Sequence, residues 1–496
     1  MNAMLFGWTK AIYSEFKNIQ VSCIDIDLRT PVDLMIKEIE RSGHEYLIAY
    51  RDKKRYITRV EPVELKQLEE RKMEIKENGV YVVTGGSGKV GLHVCNYLAS
   101  NNKVHIVSLN RTQIDLENEH GKLEIIQQIR KNGSEIEFVT TDVADYDSLS
   151  KSLQYIRDKY SHIDGIIHCA AKGVGKAGTK IAEETEKNLV DFLGPKVQGV
   201  WMMEQLTKSD SLDFMILFSS NITLSGGSAS SAYITGNAFL DVFPDSVDSK
   251  KIVVINFPRL QVGEEIYNDH DQLFSTMTIE TAMDLMDRIL SRKISRCIIG
   301  NLNHNGDIMK IIDYLPFRFS DSIERQIHKE KIDMSQKNEI SWERDGMIYG
   351  KENRVYTDVE RKIAKTICKL LELDEIDIND DFFELGGNSI FAIKLESDLE
   401  KYGIAISAGE LDAYNTVKKM ADFVEKHEKK ITETVAESVA ITMEDEHEKV
   451  IAHIEPFNDI FYKSCFYNSL IPIILHYEKD ITPIIINDIC VYQKSL

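Results

Sequence analysis

Short apolar runs separated by amphipathic stretches recur from Gly79 to about residue 300. They are VYVVT (80–84), VHIVSL (104–109), EFVTT (137–141), GIIHC (165–169), FMILF (214–218), IVVIN (252–256) and RCIIG (296–300). Continuous apolar runs are typical of strands buried on both faces, and their alternation with helices is typical of a parallel sheet. The pattern predicts an α/β domain of the Rossmann type, a doubly wound parallel sheet, over residues 76–302.

The flanking regions follow other patterns. Residues 1–75 contain an amphipathic start, a strand-like run at Val21–Ile26 and a hairpin pattern around the charged turn Arg51–Lys54. Residues 303–352 and 429–454 are charged and irregular, and we interpret them as linkers. Residues 455–496 become apolar and aromatic again. Between the linkers, the apolar pattern over residues 353–428 predicts a small helical domain of four helices. Apolar residues recur there every four positions: Val359, Ile363 and Ile367, then Phe391, Leu395 and Leu399.

Composition narrows the class of protein. The 496 residues carry a formal net charge of −20, whereas a nucleic-acid binder needs a basic face. The seven cysteines form no CxxC pair, which argues against a zinc site and a disulfide framework and favours reduced thiols. We expect no bound metal. No apolar run approaches the ~18 residues of a membrane span, and the N-terminus lacks the pattern of a signal peptide. We expect a cytoplasmic protein without membrane or nucleic-acid partners.

A glycine-rich turn follows the first strand of the predicted sheet and opens a helix. It reads Thr84-Gly85-Gly86-Ser87-Gly88-Lys89-Val90-Gly91. Glycines let the backbone turn tightly and approach a pyrophosphate at a helix N-terminus. The strand–turn–helix context predicts a dinucleotide site that uses Gly85, Gly86, Ser87, Gly88 and Gly91.

The ends of the next two strands bear on the choice of nucleotide. An NAD site usually has a carboxylate after the second strand, where this chain has Asn110 and Arg111. A guanidinium suits a 2′-phosphate, which predicts NADPH, although Arg111 could also be a surface arginine. After the third strand, Asp142 and Val143 are candidates to contact the adenine. Asp142 could equally cap a helix.

Four further residues form a candidate reducing set. Ser220 ends the fifth strand, Tyr233 lies 13 residues later on a predicted helix with Asn237 four residues on, and Lys196 lies 24 residues before Ser220. A carbonyl that receives a hydride must also receive a proton, and a phenol can donate it. We expect Lys196 and an oxidised nicotinamide to lower the pKa of the phenol from about 10. Ser220 would hold the carbonyl oxygen, and Asn237 would position the lysine or a water.

The segments GGSGKVG, PKVQG, LFSS and AYITGNAFLD resemble the ketoreductase domain of modular polyketide synthases. Ordinary short-chain dehydrogenases have the helical motif Tyr-x-x-x-Lys. In these ketoreductases the helix has Tyr-x-x-x-Asn instead, and the lysine lies upstream. This chain has the same arrangement, with Tyr233 and Asn237 on the predicted helix and Lys196 upstream. The resemblance implies that residues 1–75 are the last part of a non-catalytic structural subdomain. That subdomain is usually about twice as long, so an upstream polypeptide would supply the rest, or the chain is a fragment.

The chain also departs from that family. Ala171 stands where a glycine usually follows His-x-Ala. The Leu-Asp-Asp motif is missing, and Ser225 replaces the Trp eight residues before Tyr233. Since these positions mark stereochemistry in the family, the sequence makes no prediction of the alcohol configuration.

The stretch Asp381–Ser389, DFFELGGNS, resembles the attachment site of acyl and peptidyl carrier proteins. The resemblance implies that Ser389 carries a covalent 4′-phosphopantetheine, although a serine there could simply cap a helix. The peptidyl-carrier character suggests a hybrid polyketide and peptide assembly line. A phosphopantetheinyl transferase, an upstream subunit with a ketosynthase and a downstream module are the partners it implies.

Residues 455–496 weakly resemble the opening of papain-like acyltransferases of the butirosin type, with Cys465 as the nucleophile. A thiolate needs a histidine base, and His476, eleven residues on, is a poor candidate. We favour a docking segment or a truncated, inactive fragment.

These observations predict NADPH-dependent reduction of a β-keto group on a carrier-bound thioester. Three alternatives remain: reduction of an α-ketoacyl group, a carrier and docking module with an inactive reductase, and a free-standing dehydrogenase. The carrier on the same chain argues against the last.

Overall fold

The computed structural model describes most of the chain. The described residues are 2–16, 19–27, 29–39, 41, 45–71, 73–114, 120–172, 179–227, 229–247, 251–263, 272–303, 315, 317–325, 327, 347–351, 355–371, 373–387, 389–406, 409–426, 474–477 and 484–485.

The strands are β1 (Ile19–Ile26), β2 (Leu47–Arg51), β3 (Lys54–Ile57), β4 (Arg59–Val60), β5 (Val80–Thr84), β6 (His105–Asn110), β7 (Glu135–Thr140), β8 (Gly165–His168), β9 (Phe214–Ser220), β10 (Ile252–Phe257), β11 (Leu260–Gln261), β12 (Met277–Thr278), β13 (Arg296–Ile298), β14 (Arg318–Phe319), β15 (Met347–Tyr349), β16 (Glu375–Asp377), β17 (Ile474–Tyr477) and β18 (Ile484–Ile485).

The helices are α1 (Asn2–Glu15), α2 (Val32–Ile39), α3 (Lys89–Asn101), α4 (His120–Lys131), α5 (Tyr146–Tyr160), α6 (Glu186–Leu193), α7 (Val200–Leu206), α8 (Ile222–Ser225), α9 (Ser231–Ser246), α10 (Ile279–Leu290), α11 (Asp358–Leu371) and α12 (Ser389–Glu400), with a further helix over 417–426. A π-helical turn, Gly194–Gly199, joins α6 to α7.

A seven-stranded sheet forms the centre of the molecule, in the order β13-β10-β9-β8-β5-β6-β7 with every pair parallel. All seven predicted strands form, and the doubly wound prediction is confirmed. Strands β5, β8 and β10 are buried along their whole lengths, because helices cover both faces and bury an apolar core on each. The strand order reverses between β5 and β8, and ligands of such sheets bind in the crevice at that point.

The N-terminal region packs against this domain. Strands β1 and β2 are parallel, and β2 and β3 form the predicted antiparallel hairpin, whose turn residues Asp52 and Lys53 have positive φ. Helix α1 crosses α9 at Gly7, where a Cβ atom would lie 2.7 Å from the Cα of Thr235. Only a residue without a side chain lets the two backbones approach this closely.

Part of the segment 303–352, which we interpret from the sequence as a linker, packs against the domain that contains the seven-stranded sheet. Strand β14 pairs with β4, and the side chains of Leu315, Phe317, Phe319 and Ile327 share a buried cluster with Leu224, Leu273 and Phe274. Strand β15 pairs with β16 and so belongs to the helical unit.

The helical unit has its own core. The predicted helix faces are buried, with Ile363, Ile367, Leu395 and Leu399 at most 1% exposed. Strand β17 pairs with β1 and β18. The other residues of 455–496, including Cys465, lie outside the described residues. None of the described helices is long and apolar enough to cross a membrane.

We predict that Gly7→Ala destabilises the fold by about 1–3 kcal/mol, because the added methyl forces α1 away from α9. Gly121→Ala on α4 is the matched control, since a Cβ there meets no atom within 4 Å. The control should be neutral or stabilising by up to about 1 kcal/mol. Urea unfolding of both variants measures the difference, and equal stabilities would contradict the close helix crossing.

Candidate active site

The glycine-rich turn joins β5 to α3 and has little room for side chains. Gly85 has a φ of +68°, in the left-handed region. A Cβ atom on Gly86 would lie 2.4 Å from Ser108 Oγ, and one on Gly91 would lie 2.2 Å from the carbonyl oxygen of Gly85. The turn is therefore a bare backbone cradle at the N-terminus of α3, beginning at Lys89. This arrangement fits the pyrophosphate of a dinucleotide.

Asn110 supports the turn from β6. Its Oδ1 accepts the N–H of Ser87 at 2.9 Å, and its Nδ2 donates to Ser108 Oγ at 2.8 Å. The amide is buried and holds the loop in place. Its neighbour Arg111 is exposed, so its guanidinium is available to a charged ligand at the end of β6.

Asp142 and Val143 follow β7. The carboxylate of Asp142 accepts the N–H of Ala144 at 2.9 Å. The cap of α5 is a different residue, Asp145, which accepts the N–H of Ser148. Val143 is 6% exposed, and its carbonyl would lie 3.1 Å from a Cβ on Gly199. The structure therefore places Val143 in the core beside the π-helical turn and leaves Asp142 exposed at the edge of the crevice.

Lys196 lies in the π-helical turn and is 4% exposed. Its Nζ donates to the carbonyl of Phe218 at 3.0 Å and lies 5.9 Å from the ring centroid of Tyr233. Burial lowers the pKa of Lys196 to about 8. The lysine thus reaches the tyrosine from a separate element, as the exchanged family pattern implies.

Tyr233 and Asn237 lie one turn apart on α9, beside the end of β9. The side chains of Ser220 and Asn237 lie near the phenol and act to lower its pKa. Asn237 Nδ2 also donates to the carbonyl of Tyr233 at 2.9 Å, while Asn237 Oδ1 is buried without a hydrogen-bond partner among the described residues. An unpaired buried acceptor indicates a site for a water or a ligand donor.

The lowering of the pKa of Tyr233 that we expect from Lys196 and an oxidised nicotinamide does not come from the protein groups alone. Burial raises the pKa of the phenol and outweighs the effect of the Ser220 and Asn237 side chains, which act in the other direction. The physical reason is desolvation, which disfavours the charged phenolate. The phenol is therefore held protonated at neutral pH.

Sequence reasoning missed a buried polar network beneath the four residues. Asp241 accepts hydrogen bonds from Ser219 Oγ at 2.6 Å, Asn256 Nδ2 at 2.8 Å and Arg296 Nη2 at 2.7 Å. Asn256 also donates to the carbonyl of Ser220 at 3.1 Å. The signal was present in the sequence, because Tyr233, Asn237 and Asp241 are spaced four apart and share one helical face.

The carrier motif forms the turn before α12. Phe382 is fully buried, and a Cβ on Gly387 would lie 2.5 Å from its ring. Gly386 has a φ of +106°. Ser389 is the first residue of α12, the position that the motif predicts.

Two family models match the chain. Residues 79–258 match the KR domain, and residues 361–424 match the phosphopantetheine attachment site. Polyketide synthase PksM of Bacillus subtilis (strain 168) is 22% identical over 407 residues, which cover 79% of this chain and 9% of that protein. Mellein synthase of Phaeosphaeria nodorum is 32% identical over 177 residues, 34% of this chain and 10% of that protein. The chain thus spans a tenth or less of these relatives.

Solved structures share the fold. A ketoreductase domain from the bacillaene assembly line matches with a TM-score of 0.51 at 23% identity, covering 60% of this chain and 73% of that chain. An A1-type ketoreductase matches with a TM-score of 0.55 at 21% identity, covering 66% of this chain and 70% of that chain.

The match of residues 79–258 to the KR domain supports an oxidoreductase and suggests a nicotinamide cofactor, and the match of residues 361–424 to the phosphopantetheine attachment site supports a carrier unit on the same chain.

We predict that Gly91→Ala weakens nicotinamide dinucleotide binding at least tenfold, about 1.4 kcal/mol. The added methyl would overlap the Gly85 carbonyl and push the turn out of shape. Titration calorimetry measures the affinity, with Gly121→Ala as the control that should bind like the wild type. Unchanged binding by Gly91→Ala would place the nucleotide elsewhere.

Proposed function

We propose that this chain uses NADPH to reduce the β-keto group of an acyl thioester carried on Ser389, giving a hydroxyacyl thioester. The observation that carries this proposal is the convergence of Lys196, Tyr233 and Asn237 at the end of β9, where Ser220 lies, with the Lys196 ammonium 5.9 Å from the ring centroid of Tyr233. The dinucleotide, when bound, supplies the hydride. Gly85, Gly86, Ser87, Gly88 and Gly91 would hold its pyrophosphate.

Each of the four residues has a role that its surroundings favour. Tyr233 donates the proton to the carbonyl oxygen; burial raises its pKa, so the phenol is protonated at neutral pH and the phenolate that forms on proton transfer has to be stabilised by its neighbours. Ser220 donates a hydrogen bond to the same oxygen. The Lys196 ammonium stabilises the phenolate left after proton transfer. The unpaired Oδ1 of Asn237 accepts from a water that can return a proton to Tyr233.

The exposed Arg111 would bind a 2′-phosphate, which supports NADPH over NADH. Asn110 acts through the loop that it holds, and Asp142 stays available to the adenine. The carrier brings the thioester on a phosphopantetheine arm installed by a transferase. An upstream subunit with a ketosynthase and the rest of the structural subdomain, and a downstream module, are the proposed partners.

We predict that Tyr233→Phe lowers kcat for a soluble β-ketoacyl thioester about 100-fold or more, because the proton donor is lost. Tyr146→Phe is the matched control, since Tyr146 is 56% exposed on α5, and it should retain full activity. NADPH should be oxidised faster than NADH. A wild-type chain that binds NADPH yet reduces no β-keto thioester would contradict the proposal, and reduction of α-keto thioesters alone would favour the α-ketoacyl alternative.

The rate should also depend on pH through Lys196, whose pKa burial lowers to about 8. Below that pH the ammonium is present and kcat is flat. As the pH rises above it the charge is lost and kcat falls, up to about tenfold per pH unit. A profile from pH 6 to 10 measures this, and a flat profile through pH 9.5 would rule out the electrostatic role of Lys196.

A further inference from the structure

Two loops border the crevice at the carboxyl ends of the central strands. One leads from β8 to α6 and the other from β9 to α9. They touch through a bridge between Thr179 and Ser230 and through Ser231 Oγ, which donates to Glu184 at 2.9 Å. Since ligands of doubly wound sheets bind at this edge, the spacing of the two loops shapes the substrate entrance.

Glu15, the last residue of α1, joins the two loops. One carboxylate oxygen accepts the N–H of Ile181 at 2.8 Å, and the other accepts the N–H of Ala229 at 2.7 Å. Hydrogen bonds to a carboxylate are about twice as strong as neutral ones. A carboxylate is unfavourable at a helix C-terminus, so the helix itself gains nothing from Glu15. Its contribution lies in the contacts that it makes across both loops.

The second loop needs this support. Ala229 has a φ of +52°, a left-handed conformation that costs about 1–2 kcal/mol for a residue with a side chain. It lies four residues before Tyr233. The loop also turns at Gly226, where a Cβ would lie 2.6 Å from Ser14 Oγ, and Lys10 donates to the carbonyl of Thr223. Helix α1 therefore contacts the loop at three successive points.

We infer that α1 forms the outer wall of the substrate crevice and that Glu15 is a positioning residue, which fixes the gap between the two loops and thereby the pose of the thioester at Tyr233. This inference rests on the proposed function. It assigns a helix of the non-catalytic region to substrate selection, with no contact between Glu15 and the reacting atoms.

The test compares Glu15→Gln with the wild type in the full-length chain. Glutamine keeps one acceptor and turns an N–H₂ toward the other amide, so one of the two loops is released. We expect kcat/KM for a soluble β-ketoacyl thioester to fall about tenfold to hundredfold, with NADPH affinity within about twofold of the wild type and an altered ratio of alcohol epimers. Glu124→Gln on α4 is the control, since Glu124 is exposed, and it should behave as wild type.

Glu15→Asp is the second variant, for the case that Glu15→Gln folds poorly. It keeps the charge but is one methylene shorter and cannot reach both amides. A merely structural role would lower the melting temperature and NADPH affinity together and leave the epimer ratio unchanged, which would overturn the inference. Wild-type kinetics and a wild-type epimer ratio in a folded variant would also overturn the inference.

Hydrogen exchange separates this inference from the proposed function. Peptides covering 179–185 and 226–231 should exchange at least tenfold faster in Glu15→Gln than in the wild type, whether or not the chain reduces the thioester. If the wild type does not reduce the thioester, the proposed function fails. The exchange rates still show whether Glu15 holds the two loops. Unchanged exchange in both peptides would show that Glu15 does not hold the loops.

Discussion

The buried carboxylate of Asp241 is the interaction on which the candidate site depends. It lies on α9 and accepts hydrogen bonds from Ser219 on β9, Asn256 on β10 and Arg296 on β13. A buried charge is tolerated only when it is paired, and its partners are then fixed in direction. One carboxylate therefore sets α9 against three strands, and the functional residues are adjacent to these anchors. Ser220 follows Ser219, and Asn237 lies one turn before Asp241.

The same desolvation acts in opposite directions on the two titrating groups of the site. It raises the pKa of Tyr233 and lowers that of Lys196, because burial disfavours the charged form of each. The phenol thus retains its proton at neutral pH, and the lysine retains its charge below about pH 8. A neutral acid beside a buried cation suits a reaction in which a proton and a hydride reach the same carbonyl.

Much of the fold was predictable because strands that are buried on both faces have continuous apolar runs in the sequence. All seven strands of the sheet follow from their apolar runs, and the helical unit follows from the spacing of residues such as Ile363 and Leu395. The roles of Lys10 and Glu15 were not predictable. Their partners, at Thr223, Ile181 and Ala229, are more than 160 positions away, and no local pattern marks a contact between a helix and backbone groups so distant. The raised pKa of Tyr233 was missed for a similar reason, since burial depends on packing that spacing does not reveal.

Intact mass of the loaded chain tests the central claim most directly. A β-ketoacyl-phosphopantetheine would be transferred to Ser389 by a carrier-activating transferase, and NADPH added. The account predicts a gain of two hydrogens, ~2 Da, on the loaded chain, since a hydride and a proton both reach the carbonyl. Loading of the β-ketoacyl group without that gain would contradict it, and a further failure with an α-ketoacyl group would leave the chain as a carrier whose reductase domain is inactive.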